Sequence, residues 1–247
     1  MQPARFGMEW KMATSQEHEH EVRKSFDEHM TDLKSDVIRV AAMAGEMVGM
    51  STEALLDKEL LLVERVVESN RRLEELNHDI EFRTYELFAT QQPMAIDLRT
   101  LLTVLRTLHE LELTGDLTVS VAKAARRIYP GELPPKIRGL LERMGVQATV
   151  QLRVAVDAFA DRDESLALAL PDMDDVIDDL QKELFRAIFS TATPDEAGLQ
   201  QAVQIALVGR YYERIADHAV QMGRWVNFMV TGKLPGYEPP TSLHETT

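Results

Sequence analysis

The sequence predicts an all-α fold made of two tandem three-helix bundle repeats, with antiparallel helices related by an internal pseudo-twofold. Three observations predict it. Almost every segment repeats its apolar residues at spacings of three and four, the helical period. Gly 12 and Pro 10 in 247 residues, with 45 % hydrophobic and 6 % aromatic residues, exclude collagen, low-complexity disorder and a turn-rich β-sandwich. The second half of the chain also restates the signals of the first about a hundred residues later.

Residues 1–25 read as a polar leader. The first helix, about 26 to 56, carries Leu33, Val37, Val40, Ala44, Met47, Ser51 and Ala54 on one stripe. The second, about 59 to 90, repeats the pattern through Val63, Val66, Asn70, Leu73, Leu76 and Ile80. Pro93 suits the first position of the third helix, where a missing N–H costs little, and Leu98, Leu101, Leu105, Leu108, Glu112, Gly115, Val119 and Ala122 follow to about 128. Pro130, Gly131, Pro134 and Pro135 mark the clearest break. This divides a first repeat, 26–130, from a second, 131–232, with a flexible tail over 233–247.

The fourth helix, about 135 to 161, shows Ile137, Leu141, Met144, Ala148, Leu152 and Ala155, and the fifth, about 164 to 191, shows Asp174, Ile177, Leu180, Leu184 and Ile188. Thr193 with Glu196 predicts a capping box opening the sixth helix, which runs to about 231 through Leu199, Ala202, Ala206, Gly209, Glu213, Ala216, Val220 and Gly223.

The duplication has a definite register. Glu213 follows Glu112 by 101 positions, as Asp217 follows Asp116. One helix earlier, Asp174 follows Asn70 and Asp178 follows Glu74 by 104, so the link before the sixth helix is three residues shorter.

Charge and composition restrict function. With 27 Lys+Arg against 41 Asp+Glu the net charge is −14, a surface that repels phosphate backbones and favours cations and basic protein surfaces. Nucleic acid and anionic lipid are therefore poor partners. With Cys 0 there are no disulfides, thiolate metal sites or cysteine nucleophiles, so any metal has oxygen or imidazole ligands. The start resembles no secretory signal, no apolar run reaches the length of a bilayer span, and the chain reads as soluble and cytoplasmic. A nucleophile elbow, P-loop, dinucleotide fingerprint or H-E-x-x-H motif is absent, so nothing supports an enzyme.

Glu112 with Asp116, and Glu213 with Asp217, place two carboxylates on one face of a helix. Both pairs fall in a register that otherwise predicts packed residues. A carboxylate there must protonate, pair with a cation or bind a metal, and a hard cation relieves the repulsion of two acids with oxygen ligands. The opposing reading pairs them with Arg106, Arg210 and Arg214 as salt bridges. His109 precedes Glu112 by three, the reverse of the order in di-iron bundles, and Arg210 stands at the equivalent place. His218 is expected at the surface or behind the ligands. Asp97 suits the start of the third helix, and Arg99 is expected to tie it to a neighbour.

These residues carry a resemblance to the PhoU family of phosphate-signalling accessory proteins, from about Phe26 to Leu234. It rests on "ALLD" ending at Asp57, "QQPMAIDLR" from Gln91 to Arg99, "ELELTGD" from Glu110 to Asp116, "DDVIDDL" from Asp174 to Leu180, "GRYYERIADHA" from Gly209 to Ala219 and "FMVTGKLP" from Phe228 to Pro235. The resemblance implies that the acidic pairs bind metal, iron or zinc or else magnesium or manganese. Glu112, Asp116, Glu213 and Asp217 would be ligands, with Asp174, Asp178, Asn70 and Glu74 on the adjoining helices. It further implies a negative regulator of the phosphate-starvation response, a homodimer bridging the ATPase subunit of a phosphate ABC transporter and a phosphate-sensing histidine kinase without entering the membrane. The alternatives are a carboxylate-bridged metalloenzyme and a purely structural bundle. The chain departs from the family pattern at Leu113, where Arg is usual, at Asn70, where Asp is usual, and at Gly198, which stands opposite Asp97. These departures weaken the first site more than the second.

Overall fold

A computed structural model describes residues 6–91 and 93–237. They form α1 (Phe6–Asp57), α2 (Leu60–Gln91), α3 (Ile96–Ile128), α4 (Pro135–Asp161), α5 (Glu164–Thr191) and α6 (Glu196–Thr231), with no strand among the described residues. The all-α expectation holds. The helices form because each has an apolar stripe at a spacing of three and four: Val63, Val66, Leu73 and Ile80 of α2 are fully buried, as are Leu141, Met144, Ala148 and Ala155 of α4.

The helix ends differ from expectation in three places. The first helix begins at Phe6, not near residue 26, because nothing from Phe6 to Lys24 breaks a helix except Gly7, and Glu, Lys, Met and Ala are strong formers. Its 52 residues span about 78 Å. The side chains of residues 6–22, with His18 and His20, lie outside the described residues, as do residues 1–5 and 238–247 of the leader and tail. Pro93 does not begin α3: a turn in which Asp97 donates to the Met94 carbonyl at 3.1 Å reorients the chain first, and Ala95 sits at φ 51° before the helix. At α6 the cap is Asp195, not Thr193. The Asp195 carboxylate accepts from the Gly198 N–H at 2.7 Å, and the Thr193 hydroxyl donates to Asp195 at 3.1 Å. A full negative charge is the stronger acceptor at the positive end of a helix.

Within each repeat the three helices pack as a triangle, α1 with α2 and α3, and α4 with α5 and α6. The repeats meet through α3 against α6 and α1 against α4, leaving α2 and α5 on opposite flanks. The α3–α6 pair is antiparallel: Thr103 donates to the Trp225 carbonyl at 3.1 Å, Thr114 meets His218 at 3.2 Å, and Arg127 reaches Gln204 at 3.4 Å. Gly115 and Ala216, 101 positions apart, are therefore equivalent residues near the middle of this crossing, where the pseudo-twofold passes.

The apolar core is not divided by repeat. One cluster joins Leu73 and Leu101 to Leu152, Leu170 and Val226, and the other joins Leu55 and Val121 to Leu141, Leu184 and Ile205. Each half buries the other's surface. Tyr212, fully buried, fixes the junction by meeting Thr52 of α1 at 2.8 Å. The Thr52 hydroxyl already donates to the Val48 carbonyl at 2.7 Å, so the phenol is the donor.

Pro171 lies inside α5 and leaves the Ala167 carbonyl without its usual donor four residues on. α6 approaches closely here because Gly223 has no side chain. A Cβ at Gly223 would stand 3.0 Å from the Ala167 oxygen and 2.5 Å from Leu170 Cδ1. Backbone cannot yield as a side-chain tip can, so overpacking outweighs the gain in helix propensity. Gly223→Ala is expected to destabilise by about 1 to 2 kcal/mol and lower the melting temperature by a few degrees, measurable by thermal denaturation.

Candidate cation site

In the second repeat α5 presents Asp174 and Asp178, and α6 presents Glu213 and Asp217. Helical periodicity places each pair on one face. Glu213 is buried, 9 % exposed, and the three aspartates are half-buried. Burial pushes Asp174 up from 3.8 to about 6, helped by the charges of Asp217 and Asp178. Glu213 is raised by burial and by Asp217, against the pull of Arg210, and Asp217 is raised by burial, with Arg210 opposing. The four carboxylates thus sense one another across the α5–α6 seam. Arg210 pairs with one oxygen of Glu213, and the other has no hydrogen-bond partner; nor has one oxygen of Asp174. Two buried carboxylate oxygens without partners are costly in a folded protein.

The first repeat solves the same problem differently. Asn70, buried on α2, donates from Nδ2 to Glu74 at 2.6 Å and to Asp116 at 3.2 Å. A neutral amide stands where the second repeat has Asp174, and its Nδ2 group links the two acids by hydrogen bonds. A Cβ at position 115 would collide with Asn70 Oδ1, so Gly115 is what lets α2 come this close. Asp116 is exposed and Glu112 only half-buried, because the buried face of α3 runs through Leu108, Leu111, Thr114 and Thr118. Glu112 therefore flanks the seam and does not sit in it, and Leu98, 38 % exposed, lies outside the seam too.

The structure brings together Asp174, Asp178, Glu213 and Asp217 in one cluster and Glu74 and Asp116 in another. Among the described residues, no three His, Asp or Glu side chains already converge closely enough to hold a metal ion.

The arginines divide their roles. Arg210 pairs with Glu213, whereas Arg106 stacks on the Trp225 ring at 5.0 Å and Arg214 is exposed. Asp97 pairs with Arg23 of α1 at 3.0 Å, and Arg99 lies against Gly232 at the end of α6.

His218 is not a surface residue. It is 6 % exposed and lies across the α3–α6 crossing from Thr114, whose hydroxyl is engaged with the Glu110 carbonyl at 2.8 Å. The imidazole Nδ1–H is then the donor to Thr114. His218 is one residue, or about 100° of helix turn, beyond Asp217, and that turn carries its ring into the repeat interface against Thr114. Burial first, then Arg214 and His109, depress its pKa from 6.5 to about 4. The unfolded chain takes up a proton below pH 6.5 that the folded chain refuses until about 4, so this contribution to stability is lost as pH falls through that window. The loss approaches about 2 to 3 kcal/mol at the acid end. His218→Gln is expected to reduce the acid-side fall in melting temperature between pH 6.5 and 4.

Gln151 of α4 escaped the sequence reading. It is fully buried and neither amide atom makes a hydrogen bond of ordinary geometry, yet the amide acts on Asp174, partly offsetting the rise that burial gives that carboxyl. The signal was available, since Gln151 falls on the stripe of Ala148 and Ala155 where a polar residue is out of place.

The PhoU domain family model matches the chain twice, over residues 37–125 and 141–226. The phosphate-specific transport system accessory protein PhoU homolog 1 of Mycobacterium tuberculosis is 33 % identical over 215 residues, 87 % of this chain and 96 % of that protein. The PhoU homolog 2 of the same organism is 31 % identical over 87 % of this chain and all of that protein. The chain belongs to the PhoU family. The crystal structure of PhoU from Pseudomonas aeruginosa superposes with a TM-score of 0.79 at 25 % identity, over 84 % of this chain and the whole of that one. The two mycobacterial relatives are named as accessory proteins of a phosphate-specific transport system, not as enzymes. No helix among the described residues is long and apolar enough to cross a membrane.

Proposed function

We propose that this PhoU-family chain is a cytoplasmic regulatory adaptor of a phosphate-specific transport system. It restrains the phosphate-starvation response when phosphate is plentiful, as a homodimer linking the transporter's ATPase subunit to a phosphate-sensing histidine kinase. The observation that carries this reading is the double family match, each half falling on one three-helix repeat, together with relatives named as accessory proteins of phosphate-specific transport. The −14 charge supports basic partner surfaces. The test is transcript profiling of a deletion strain in replete phosphate, with pull-downs of the ATPase and kinase in high and low phosphate. Constitutive induction of uptake genes and recovery of both partners are expected. Unchanged expression with no association in either condition defeats the proposal.

A metal forms part of this reading. The residues of the second repeat fit one: two unpartnered buried oxygens, raised pKa values at Asp174, Glu213 and Asp217, and, among the described residues, a single ion pair to these acids, from Arg210 to Glu213. Asp174, Asp178, Glu213 and Asp217 would hold it. An all-oxygen donor set suits manganese, magnesium or iron better than zinc. Bound there, a cation would supply the positive charge that these acids lack, which would tie α5 to α6. In the first repeat Glu74 and Asp116 are already served by Asn70, leaving Glu112 and its neighbours with less need of a metal.

A further inference from the structure

We propose that Gln151 belongs to the second repeat's cation site, as the residue that positions Asp174 by donating from its side-chain amide to the carboxylate oxygen left without a partner. The inference rests on the cation reading of that site and goes beyond the acidic pairs, since Gln151 lies on a helix that carries none of them.

Three observations carry it. Gln151 is completely buried, and both ends of its amide lack hydrogen-bond partners, an arrangement that natural cores rarely tolerate without a reason. The acid that the Gln151 amide acts on is Asp174, whose charged form it favours against the cost of burial and which also has an unpartnered oxygen, so a donor and an acceptor stand together. The internal repeat provides the control. α4 follows α1 by 104 positions, as Asp161 follows Asp57, so the counterpart of Gln151 is Met47, fully buried and apolar.

The two repeats therefore differ by a paired exchange. Where α2 carries Asn70, which supplies its own donors to the acids, α1 packs Met47. Where α5 carries Asp174, which supplies none, α4 brings a buried amide. Removing a buried amide from a site that never uses it would relieve an unsatisfied group. Its presence beside the α5–α6 seam with its four carboxylates is explained if it orients Asp174 toward an ion. Groups that hold a ligand by hydrogen bonding typically set metal affinity within a factor of ten to a hundred.

The test compares the wild-type chain, Gln151→Met, Asp174→Asn and the Gln151→Met/Asp174→Asn double variant, each stripped by chelator and titrated with Mn²⁺ alone by calorimetry. Methionine is the residue the first repeat places here, so the variant packs; Gln151→Leu is a second apolar replacement should it not. The expected result is Mn²⁺ binding that weakens about ten- to a hundredfold in Gln151→Met, with no further weakening when Gln151→Met is added to Asp174→Asn. In the stripped state Gln151→Met is expected to keep the wild-type circular dichroism spectrum and a single cooperative melt, which shows that the affinity loss is not a folding defect. Equal Mn²⁺ affinity in wild type and Gln151→Met overturns the inference while leaving the cation site standing. Additive losses in the double variant also overturn it, because Gln151 would then act independently of Asp174. Failure of the wild type to bind Mn²⁺ overturns both.

Discussion

Replacing both acids of the α6 pair, Glu213→Ala with Asp217→Ala, is expected to abolish the rise in melting temperature that a divalent cation gives the wild-type protein. It is also expected to make the metal-free protein more stable at neutral pH. Both effects follow from one seam. With four carboxylates facing each other and Asp174 raised from 3.8 to about 6, charging the cluster opposes folding. A carboxyl whose folded pKa is raised adds no penalty while it is protonated in both states. Its penalty grows as pH climbs from 3.8 through about 6, and it is fully present above. Asp174 is half-buried, so screening reduces this to about 1 kcal/mol. A bound cation reverses the sign, and at a hundredfold excess over its dissociation constant it stabilises by about 2.7 kcal/mol. The double variant loses two of the four proposed ligands and, with Asp217, the largest of the neighbouring charges that raise Asp174. Arg210, left without Glu213, has a half-exposed side chain and finds water. Thermal denaturation in chelator and in saturating Mn²⁺, between pH 4 and 8, reads both effects. A variant that still gains stability from Mn²⁺ would falsify the assignment of these ligands.

Tyr212→Ala is expected to cost about 3 to 5 kcal/mol, the range for losing a fully buried aromatic ring. Tyr212 lies on α6, packs in the cluster that mixes both repeats, and donates to Thr52 of α1. Deleting the ring opens a void at the junction of the two halves. Tyr212→Phe keeps the packing and removes only the hydrogen bond, so it is expected to cost about 1 kcal/mol. Because the core is shared, both variants should unfold in a single transition by circular dichroism and by tryptophan fluorescence. Two separate transitions would show that the repeats fold independently.

The helices were legible because their signals are local. α4 and α5 end at Asp161 and Thr191, the bounds read from their apolar stripes. Asp163 caps α5 by accepting from Ser165 and Leu166, the ordinary chemistry of an N-cap. The acidic pairs were legible as a repeated spacing. What spacing could not show was which side of the seam each residue faces. A helix turns 100° per residue, so Leu108 and Leu111 can be buried while Glu112, one step on, is not. Whether His218 looks at solvent or at a neighbouring helix depends on how the repeats dock, and that is set by α3 against α6, more than a hundred residues apart in sequence. The roles of Asn70 and Gln151 are likewise relations between helices. Read alone, Asn70 was a missing acid; beside Glu74 and Asp116 it is their hydrogen-bond donor.

The two repeats share a fold but differ at their acids: an amide closes one seam, and we propose that a cation closes the other. Elemental analysis of chelator-stripped protein reloaded with Mn²⁺ tests it most directly, on wild type, Glu213→Ala/Asp217→Ala, Glu74→Gln/Asp116→Asn and Asn70→Asp. The metal content of wild type should vanish in the first double variant, persist in the second and rise in Asn70→Asp, where the donor becomes a fourth carboxylate. Metal retained without Glu213 and Asp217 but lost without Glu74 and Asp116 would contradict it.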